Sequence, residues 1–130
     1  VLQQPKRRRL LRVKMRLHLS PVFQDLNDTV AAKDSQVIYF AHANGFPSLC
    51  YRKLFAGLAD SFRVDYLSRI GHNAAFPVVN NWHTLRDEIL TDMQQKFQKP
   101  VIGMGHSLGG VLIFLAACVA PQLFQHIILL

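Results

Sequence analysis

The sequence has few of the features that mark metal, redox or membrane proteins. Its 130 residues include only two cysteines, Cys50 and Cys118, which are too far apart for a metal-binding or redox motif. We therefore expect two free, buried thiols in a reducing, cytoplasmic compartment, with no metal and no cofactor. No internal repeat is present, and charges at every second position between residues 10 and 19 interrupt the apolar run that a secretory signal would need.

Acidic residues are missing from both ends of the chain. None occurs in residues 1–16 and none follows Asp92, while seven of the fifteen Lys and Arg residues lie within residues 1–16. The formal net charge of +7 therefore belongs to that segment, and the remainder is neutral. Lys6–Arg9 could contact nucleic acid or an anionic membrane, but basic and apolar residues alternate over residues 11–19, which favours a strand with one solvated face. We expect residues 1–35 to form a basic amino-terminal tail and edge strand or strands, with no specific nucleic-acid partner.

The most informative segment is Gly105-His106-Ser107-Leu108-Gly109. It follows the β-branched pair Val101-Ile102 and leads into the apolar run Leu108–Ala120, which predicts a strand, a sharp turn and a helix with Ser107 at the apex. Glycine at both ends of the turn leaves room for strand and helix to approach closely. The Ser107 hydroxyl would project at the carboxyl edge of a sheet, and the Leu108 amide would point toward an oxyanion formed there. The helical part is too short to span a membrane.

The segments before this turn alternate between strand and helix patterns. Gln36–Phe40 reads as a buried strand that runs into the loop His42–Pro47, and Ser48 is expected to cap the following helix. The other predicted elements are a helix with the apolar face Tyr51, Leu54, Phe55 and Leu58, a strand over 62–67, a helix from about Asn81 with Trp82, Leu85, Ile89, Met93 and Phe97 on one face, and a strand over 126–130. This alternation predicts an α/β fold with a mostly parallel sheet and helices on both faces.

These residues resemble the α/β-hydrolase fold superfamily, specifically its serine hydrolases and esterase-like members. In that family a His-Gly type loop follows the third strand and the serine elbow follows the fifth. The resemblance covers residues 36–130, which would be the amino-terminal half of such a domain, truncated after about the sixth strand. Because Ala43 stands where many members have glycine, the resemblance assigns the second oxyanion amide to Asn44, or to Phe46 if the loop is longer.

The resemblance implies hydrolysis of an ester, thioester or related acyl bond in a small-molecule substrate, through an acyl-enzyme on Ser107. The family's chain order is serine, then acid, then histidine, yet His126 is the only histidine after Ser107 and no acid follows it. We therefore expect the catalytic acid and base to be missing and the chain to be an inactive fragment or a truncated reading frame. His42 is interpreted as a loop-bracing residue rather than a proton carrier.

Two further histidines are candidate pocket residues, together with His42 and Phe46. His106 adjoins the serine on the strand side of the turn, where packing or pocket lining is its expected role. His72 lies in the loop Ser68–Asn73, where family members often have an Asp-x-x-Gly-x-Gly loop. It is the alternative candidate for a base.

Two other functions fit parts of the sequence. A hydrolase-like protein that binds a ligand without turnover would explain the missing acid and base. A nucleotide-binding α/β domain is suggested by Gly103-x-Gly105-x-x-x-Gly109, but that fold needs an acidic residue about twenty positions later, and none exists there. The oligomeric state is left open.

Overall fold

The computed structural model describes residues 36–130, so the predicted basic tail and edge strands of residues 1–35 lie outside the described residues. The strands are β1 Gln36–Ala41, β2 Phe62–Tyr66, β3 Val101–Gly105 and β4 Phe124–Leu129. The helices are α1 Arg52–Leu58, α2 His83–Lys96 and α3 Leu108–Val119, with short 3-10 turns at Ser48–Tyr51 and Pro121–Leu123.

The four strands form one parallel sheet in the order β2-β1-β3-β4. Parallel neighbours need crossover connections, and a helix lies in each of the three connections. The central strands β1 and β3 are buried on both faces, which matches their continuous apolar sequences. The predicted parallel sheet is confirmed, and the three strands that precede Ser107 are neighbours in it.

Helices cover both faces of the sheet, as predicted. Tyr39 and Ala41 of β1 point to the face covered by α2 and α3, whose core residues include Leu85, Ile89, Met93, Leu112 and Ile113. The alternate residues Ile38 and Phe40 point to the other face, where Tyr51, Phe55 and Leu58 pack against them. This two-residue alternation follows from the pleat of the strand.

Polar side chains between α2 and the sheet are paired with one another. The Tyr39 hydroxyl donates to Asp92 Oδ2 at 2.9 Å, and Lys96 Nζ lies 2.9 Å from Asp92 and 3.0 Å from Asp65. Burial, followed by the charge of Asp92, raises the pKa of Tyr39 above its ordinary value. Burial alone would lower the pKa of Lys96, but the hydrogen bonds to Asp92 and Asp65 and the negative charges of these carboxylates together outweigh burial and raise it. The four side chains therefore form a satisfied network that fixes α2 on the sheet.

Two local expectations were wrong. Ser48 does not cap a helix, because its hydroxyl is buried and donates to the Leu67 carbonyl at 2.6 Å, which joins the loops after β1 and β2. The second helix begins at His83, within two residues of the expected start near Asn81, and the Asn81 side-chain oxygen accepts the His83 N–H at 2.9 Å in the turn before the helix.

The second wrong expectation concerns the thiols. Both cysteines are free but exposed rather than buried. Cys118 lies two positions beyond the buried Ala116 on α3, so it faces away from the core.

Within residues 36–130, none of the helices has both the length and the apolarity that a bilayer crossing requires. The most apolar helix, α3, has twelve residues. It would be roughly 18 Å long, well short of the bilayer core.

Candidate active site

Ser107 occupies a strained turn between β3 and α3. Its backbone has φ 53° and ψ −117°, and it is the only non-glycine residue with positive φ among residues 36–130. That conformation costs an ordinary residue about 1–3 kcal/mol and persists only where the surroundings enforce it. Ser107 is exposed, whereas Met104 and Gly109 nearby are buried. The turn therefore lifts the serine out of the sheet.

Glycines on both sides of Ser107 allow the backbones to touch. A Cβ on Gly105 would overlap the carbonyl group of Gly109 and lie 2.5 Å from the Gly110 nitrogen. A Cβ on Gly109 would overlap the Ala41 carbonyl at the end of β1. The geometry therefore requires glycine at both positions, for the reason that the sequence analysis gave.

Backbone hydrogen bonds hold the turn between two strand ends. The His106 N–H donates to the Ala41 carbonyl at 3.1 Å on one side. On the other side the Ser107 N–H donates to the Leu130 carbonyl at 2.9 Å, and the Leu130 N–H donates to Gly105 at 2.9 Å. Leu130, the residue after β4, thus takes part in fixing the serine.

The two amides expected to bind an oxyanion are both without a hydrogen-bond acceptor within residues 36–130. Leu108 is the first residue of α3, where amides have no intrahelical partner and the helix dipole favours negative charge. Asn44 lies in the turn after β1 that Gly45 closes with φ 77°. The Phe46 N–H, the alternative donor, is instead bonded to the Ala43 carbonyl at 3.1 Å, so Asn44 is the better candidate.

His42 is buried and both of its ring nitrogens are engaged. Nδ1 lies 2.8 Å from the Ala43 carbonyl, and Nε2 accepts the Ile70 N–H at 2.8 Å. Because Nε2 accepts, Nδ1 carries the proton and the ring is neutral. His42 therefore joins the loop after β1 to the loop after β2, in agreement with the expected bracing role.

His72 lies in the loop after β2 and makes no hydrogen bond to Ser107. Its Nδ1 is 3.2 Å from the Ile70 carbonyl, within its own loop. Gly71, the residue before His72, has φ 80°. Its N–H donates to the Glu88 carboxylate at 2.7 Å. Sequence reasoning missed Glu88, although its place three residues after the core residue Leu85 puts it on the buried face of α2.

Burial raises the pKa of Glu88 above its ordinary value, while the Gly71 hydrogen bond and the neighbouring His72 partly offset that rise. Glu88 is buried, so its carboxylate supports the loop from beneath rather than facing solvent.

His106 is exposed, and its ring contacts Tyr51 at the end of the 3-10 turn before α1. Its Nδ1 lies 2.8 Å from the Tyr51 hydroxyl, and the two rings meet edge to face with centroids 5.8 Å apart. Phe46, the remaining candidate pocket residue, is 59% exposed. Within residues 36–130 no histidine hydrogen-bonds the Ser107 hydroxyl, and His126 is exposed on β4.

The glycines of the nucleotide-binding alternative do not line one turn. Gly103 lies in the middle of β3, where a Cβ would meet the Phe124 ring at 2.8 Å and Ile113 at 2.9 Å. Its small size therefore serves packing between the sheet and α3, whereas Gly105 and Gly109 flank the serine turn.

A groove of about 790 Å³ opens at the opposite end of the strands. It is lined by the amino ends of β1, β2 and β3 and by the segment after α2, including Arg63, Phe97 and Lys99. Ser107 does not border it.

The match to a family model covers most of the described residues. The model of the alpha/beta hydrolase family matches residues 38–130, which include the Asn44 loop and the serine turn. The chain belongs to the alpha/beta hydrolase family. No curated protein sequence matches it closely enough to be counted as a relative.

Solved structures of hydrolases share the fold of this family member. A thioesterase domain from the curacin biosynthetic pathway is 22% identical with a TM-score of 0.63, over 75% of this chain and 38% of that one. A protein from Thermoplasma acidophilum described as a CIB-like hydrolase is 17% identical with a TM-score of 0.67, over 77% of this chain and 53% of its own. An extracellular alpha/beta-hydrolase from a Paenibacillus species is 21% identical with a TM-score of 0.60, over 72% and 39%. The chain thus spans between 38% and 53% of the length of these structures.

Proposed function

We propose that this hydrolase-family chain carries the nucleophile and the oxyanion donors of a serine hydrolase that acts on an ester, thioester or related acyl bond. The observation that carries the proposal is the Ser107 turn. An exposed serine in a strained conformation lies next to a helix-initiating amide that has no acceptor within residues 36–130. A strained backbone conformation costs stability and is found most often at functional sites, so the strain at Ser107 favours a functional role.

The chemistry follows from these groups. The Ser107 Oγ attacks the carbonyl carbon while a base takes its proton, and the carbonyl oxygen becomes an oxyanion. The amides of Leu108 and Asn44 donate to that oxygen, which stabilises the charge where it develops. Collapse of the intermediate breaks the bond to the leaving group, which takes up the proton. A water molecule then repeats the attack on the acyl-serine and releases the acid.

We also propose that the 130-residue chain lacks the base that this mechanism needs. His42 has both ring nitrogens engaged, His106 faces Tyr51, and His72 bonds within its own loop. We therefore propose that the 130-residue chain alone has at most a trace of hydrolytic activity. The cytoplasmic location expected from the sequence stays a prediction.

The test compares Ser107→Ala with the parent chain in p-nitrophenyl acetate hydrolysis and in labelling by a fluorophosphonate. In the 130-residue chain we expect slow or no labelling, with little difference between the two proteins. In a form of the protein that also supplies an acid and a base, Ser107→Ala should lower turnover by roughly 10⁴- to 10⁶-fold, because the members of a triad act as a unit. Ser61→Ala, at an exposed serine after α1, is the matched control and should change neither readout.

Two results would contradict the proposal. Rapid turnover by the 130-residue chain that disappears in His72→Ala would identify His72 as the base and show that the site is complete. Turnover in a longer form that is unaffected by Ser107→Ala would remove the serine from the mechanism.

The second candidate function is ligand binding without turnover. It is favoured by the lack, within residues 36–130, of any hydrogen bond from a histidine to Ser107. A longer form that contains an acid and a histidine after Leu130 but binds acyl compounds without Ser107-dependent hydrolysis would support this alternative.

A further inference from the structure

The hydroxyl of Tyr51 contacts both sides of the candidate oxyanion site. It accepts the Ala43 N–H at 3.2 Å and lies 2.8 Å from His106 Nδ1. Ala43 directly precedes Asn44, and His106 directly precedes Ser107. A phenol can make both bonds at once, because it has one proton to donate to the imidazole nitrogen and lone pairs to accept from the amide.

Packing holds the Tyr51 ring in place. The ring is half-buried, with its centroid 4.6 Å from that of Phe40 and 6.4 Å from that of Phe55. The hydroxyl therefore reaches the two loops from a side chain anchored on the sheet and on α1. Little conformational entropy remains to be lost when it bridges them.

The bridge lies beyond the last backbone bond between the two segments. The sheet register ends at the pair Ala41 and Gly105, and the His106 N–H still donates to the Ala41 carbonyl at 3.1 Å. Past this point no backbone hydrogen bond within residues 36–130 joins the loop toward Asn44 to the turn toward Leu108. The Tyr51 hydroxyl supplies a side-chain link between them at the level of the serine.

We propose that Tyr51 is a positioning residue that sets the spacing between the Asn44 and Leu108 amides. This inference rests on the proposed function, in which those two amides bind the oxyanion. Tyr51 itself touches no substrate and acts through Ala43 and His106. Its removal should weaken stabilisation of the transition state more than binding of the ground state, because oxyanion donors act on charge that develops only during the reaction.

Tyr51→Phe removes the hydroxyl and keeps the ring that packs on Phe40. The matched control is Tyr66→Phe, which removes a hydroxyl from the same aromatic cluster. Tyr66 stacks on Phe55 with centroids 5.0 Å apart, and its hydroxyl makes no hydrogen bond within residues 36–130. His106→Ala breaks the same bridge from its exposed side, so it tests the inference even if Tyr51→Phe fails to fold.

The first readout is hydrogen exchange of the Ala43 amide in the 130-residue chain. Tyr51→Phe should speed this exchange by about ten-fold, because the amide loses its acceptor. Tyr66→Phe should leave it unchanged. Unchanged Ala43 exchange in Tyr51→Phe would overturn the inference at its structural basis.

The second readout is kinetic and uses a form of the protein whose p-nitrophenyl acetate hydrolysis depends on Ser107. Tyr51→Phe should lower kcat by roughly ten-fold with KM changed less than about two-fold, a split that loss of folded protein would not produce. His106→Ala should have a similar effect, and the double variant should lose no more than either single one, since both remove one bridge.

The two possible failures are distinguishable. If no form of the protein shows Ser107-dependent turnover, the proposed function fails and this inference fails with it. If turnover depends on Ser107 but Tyr51→Phe leaves kcat unchanged, only the role of Tyr51 is overturned.

Discussion

The polar groups beneath α2 and those at the carboxyl edge of the sheet differ in whether they have hydrogen-bond partners. Beneath α2, Tyr39, Asp92, Lys96 and Asp65 satisfy one another. At the carboxyl edge the amides of Leu108 and Asn44 have no acceptor within residues 36–130. Paired groups stabilise a fold, whereas unpaired donors held rigidly are ready to bind a ligand oxygen.

Backbone strain follows the same division. The residues with positive φ in residues 36–130 are Gly45, Gly71 and Ser107, and each follows the carboxyl end of a strand. Two of them are glycines, for which that conformation is cheap, but Ser107 is not. The network beneath α2 therefore stabilises the fold, whereas the carboxyl edge of the sheet holds a strained serine at some cost in stability.

Gly109→Ala should destabilise the protein most. Its Cβ would overlap the Ala41 carbonyl and lie 2.7 Å from the His42 carbonyl, so the elbow and β1 would have to separate. We expect a loss of more than about 3 kcal/mol in the free energy of unfolding, measured by urea denaturation. The matched control is Gly57→Ala in α1, where a Cβ meets nothing within 4 Å. That substitution should be neutral or stabilise by up to about 1 kcal/mol, and equal losses in the two variants would contradict the steric argument.

Tyr39→Phe should have the next largest effect, because it breaks the network beneath α2. Asp92 would lose one of its two partners while remaining largely buried. The expected loss is about 1–2 kcal/mol in the free energy of unfolding. Tyr66→Phe serves as the control here too and should cost less than about 0.5 kcal/mol. If both substitutions cost the same, the Tyr39 hydrogen bond contributes nothing special to the fold.

Ser107→Gly should stabilise the protein although it removes the proposed nucleophile. Glycine adopts φ 53° without the penalty that serine pays, while the unfolded chain gains some entropy. Relative to Ser107→Ala, we expect a gain of about 1 kcal/mol, read from the urea midpoint of both variants. A Ser107→Gly variant less stable than Ser107→Ala would show that the turn is not strained.

Glu88→Gln should change the pH dependence of stability by the smallest amount. Burial raises the pKa of Glu88 above its ordinary value of 4.5, so the folded protein holds this proton more tightly than the unfolded chain. The resulting contribution to stability is present below the unfolded pKa and is lost as the pH rises through the folded one. Glutamine keeps an oxygen to accept the Gly71 N–H but cannot ionise.

The variant should therefore gain stability relative to the parent between about pH 4 and about pH 7, as followed by urea denaturation at both values. A relative loss at the higher pH would mean that the ionised carboxylate is favoured in the folded protein, against the direction given by its burial.

Much of the architecture could be predicted from local pattern. The apolar run before His42 predicted a buried strand, and that strand is present as β1. The serine between two glycines predicted a sharp turn before an apolar helix, and that turn precedes α3. The helix cap was less predictable. Ser48 looked like a cap because hydroxyl residues favour that position, but a carbonyl from a distant loop, that of Leu67, competes for the same hydroxyl.

The candidate site could be predicted only in part, because some of its contacts join residues that are distant in the chain. Ser107 and Leu108 are neighbours in the chain, so their relation is local and is written in the motif. The roles of Tyr51 and Glu88 depend on contacts across fifty-five and seventeen positions, with His106 and Gly71. Tyr51 was assigned to the apolar face of a helix, which describes its ring but not its hydroxyl.

The alternation of strands and helices, the positions that require glycine and the serine at the turn can all be read from the sequence, because they depend on side-chain pattern and sterics over a few residues. Which polar groups find partners depends instead on the folded arrangement of distant segments. Hydrogen bonds between His42 and Ile70, Tyr51 and His106, or Tyr39 and Asp92 form once parallel strands bring distant loops and helices together. A hydrogen bond depends on distance and direction in space, and neither can be read from separation along the chain.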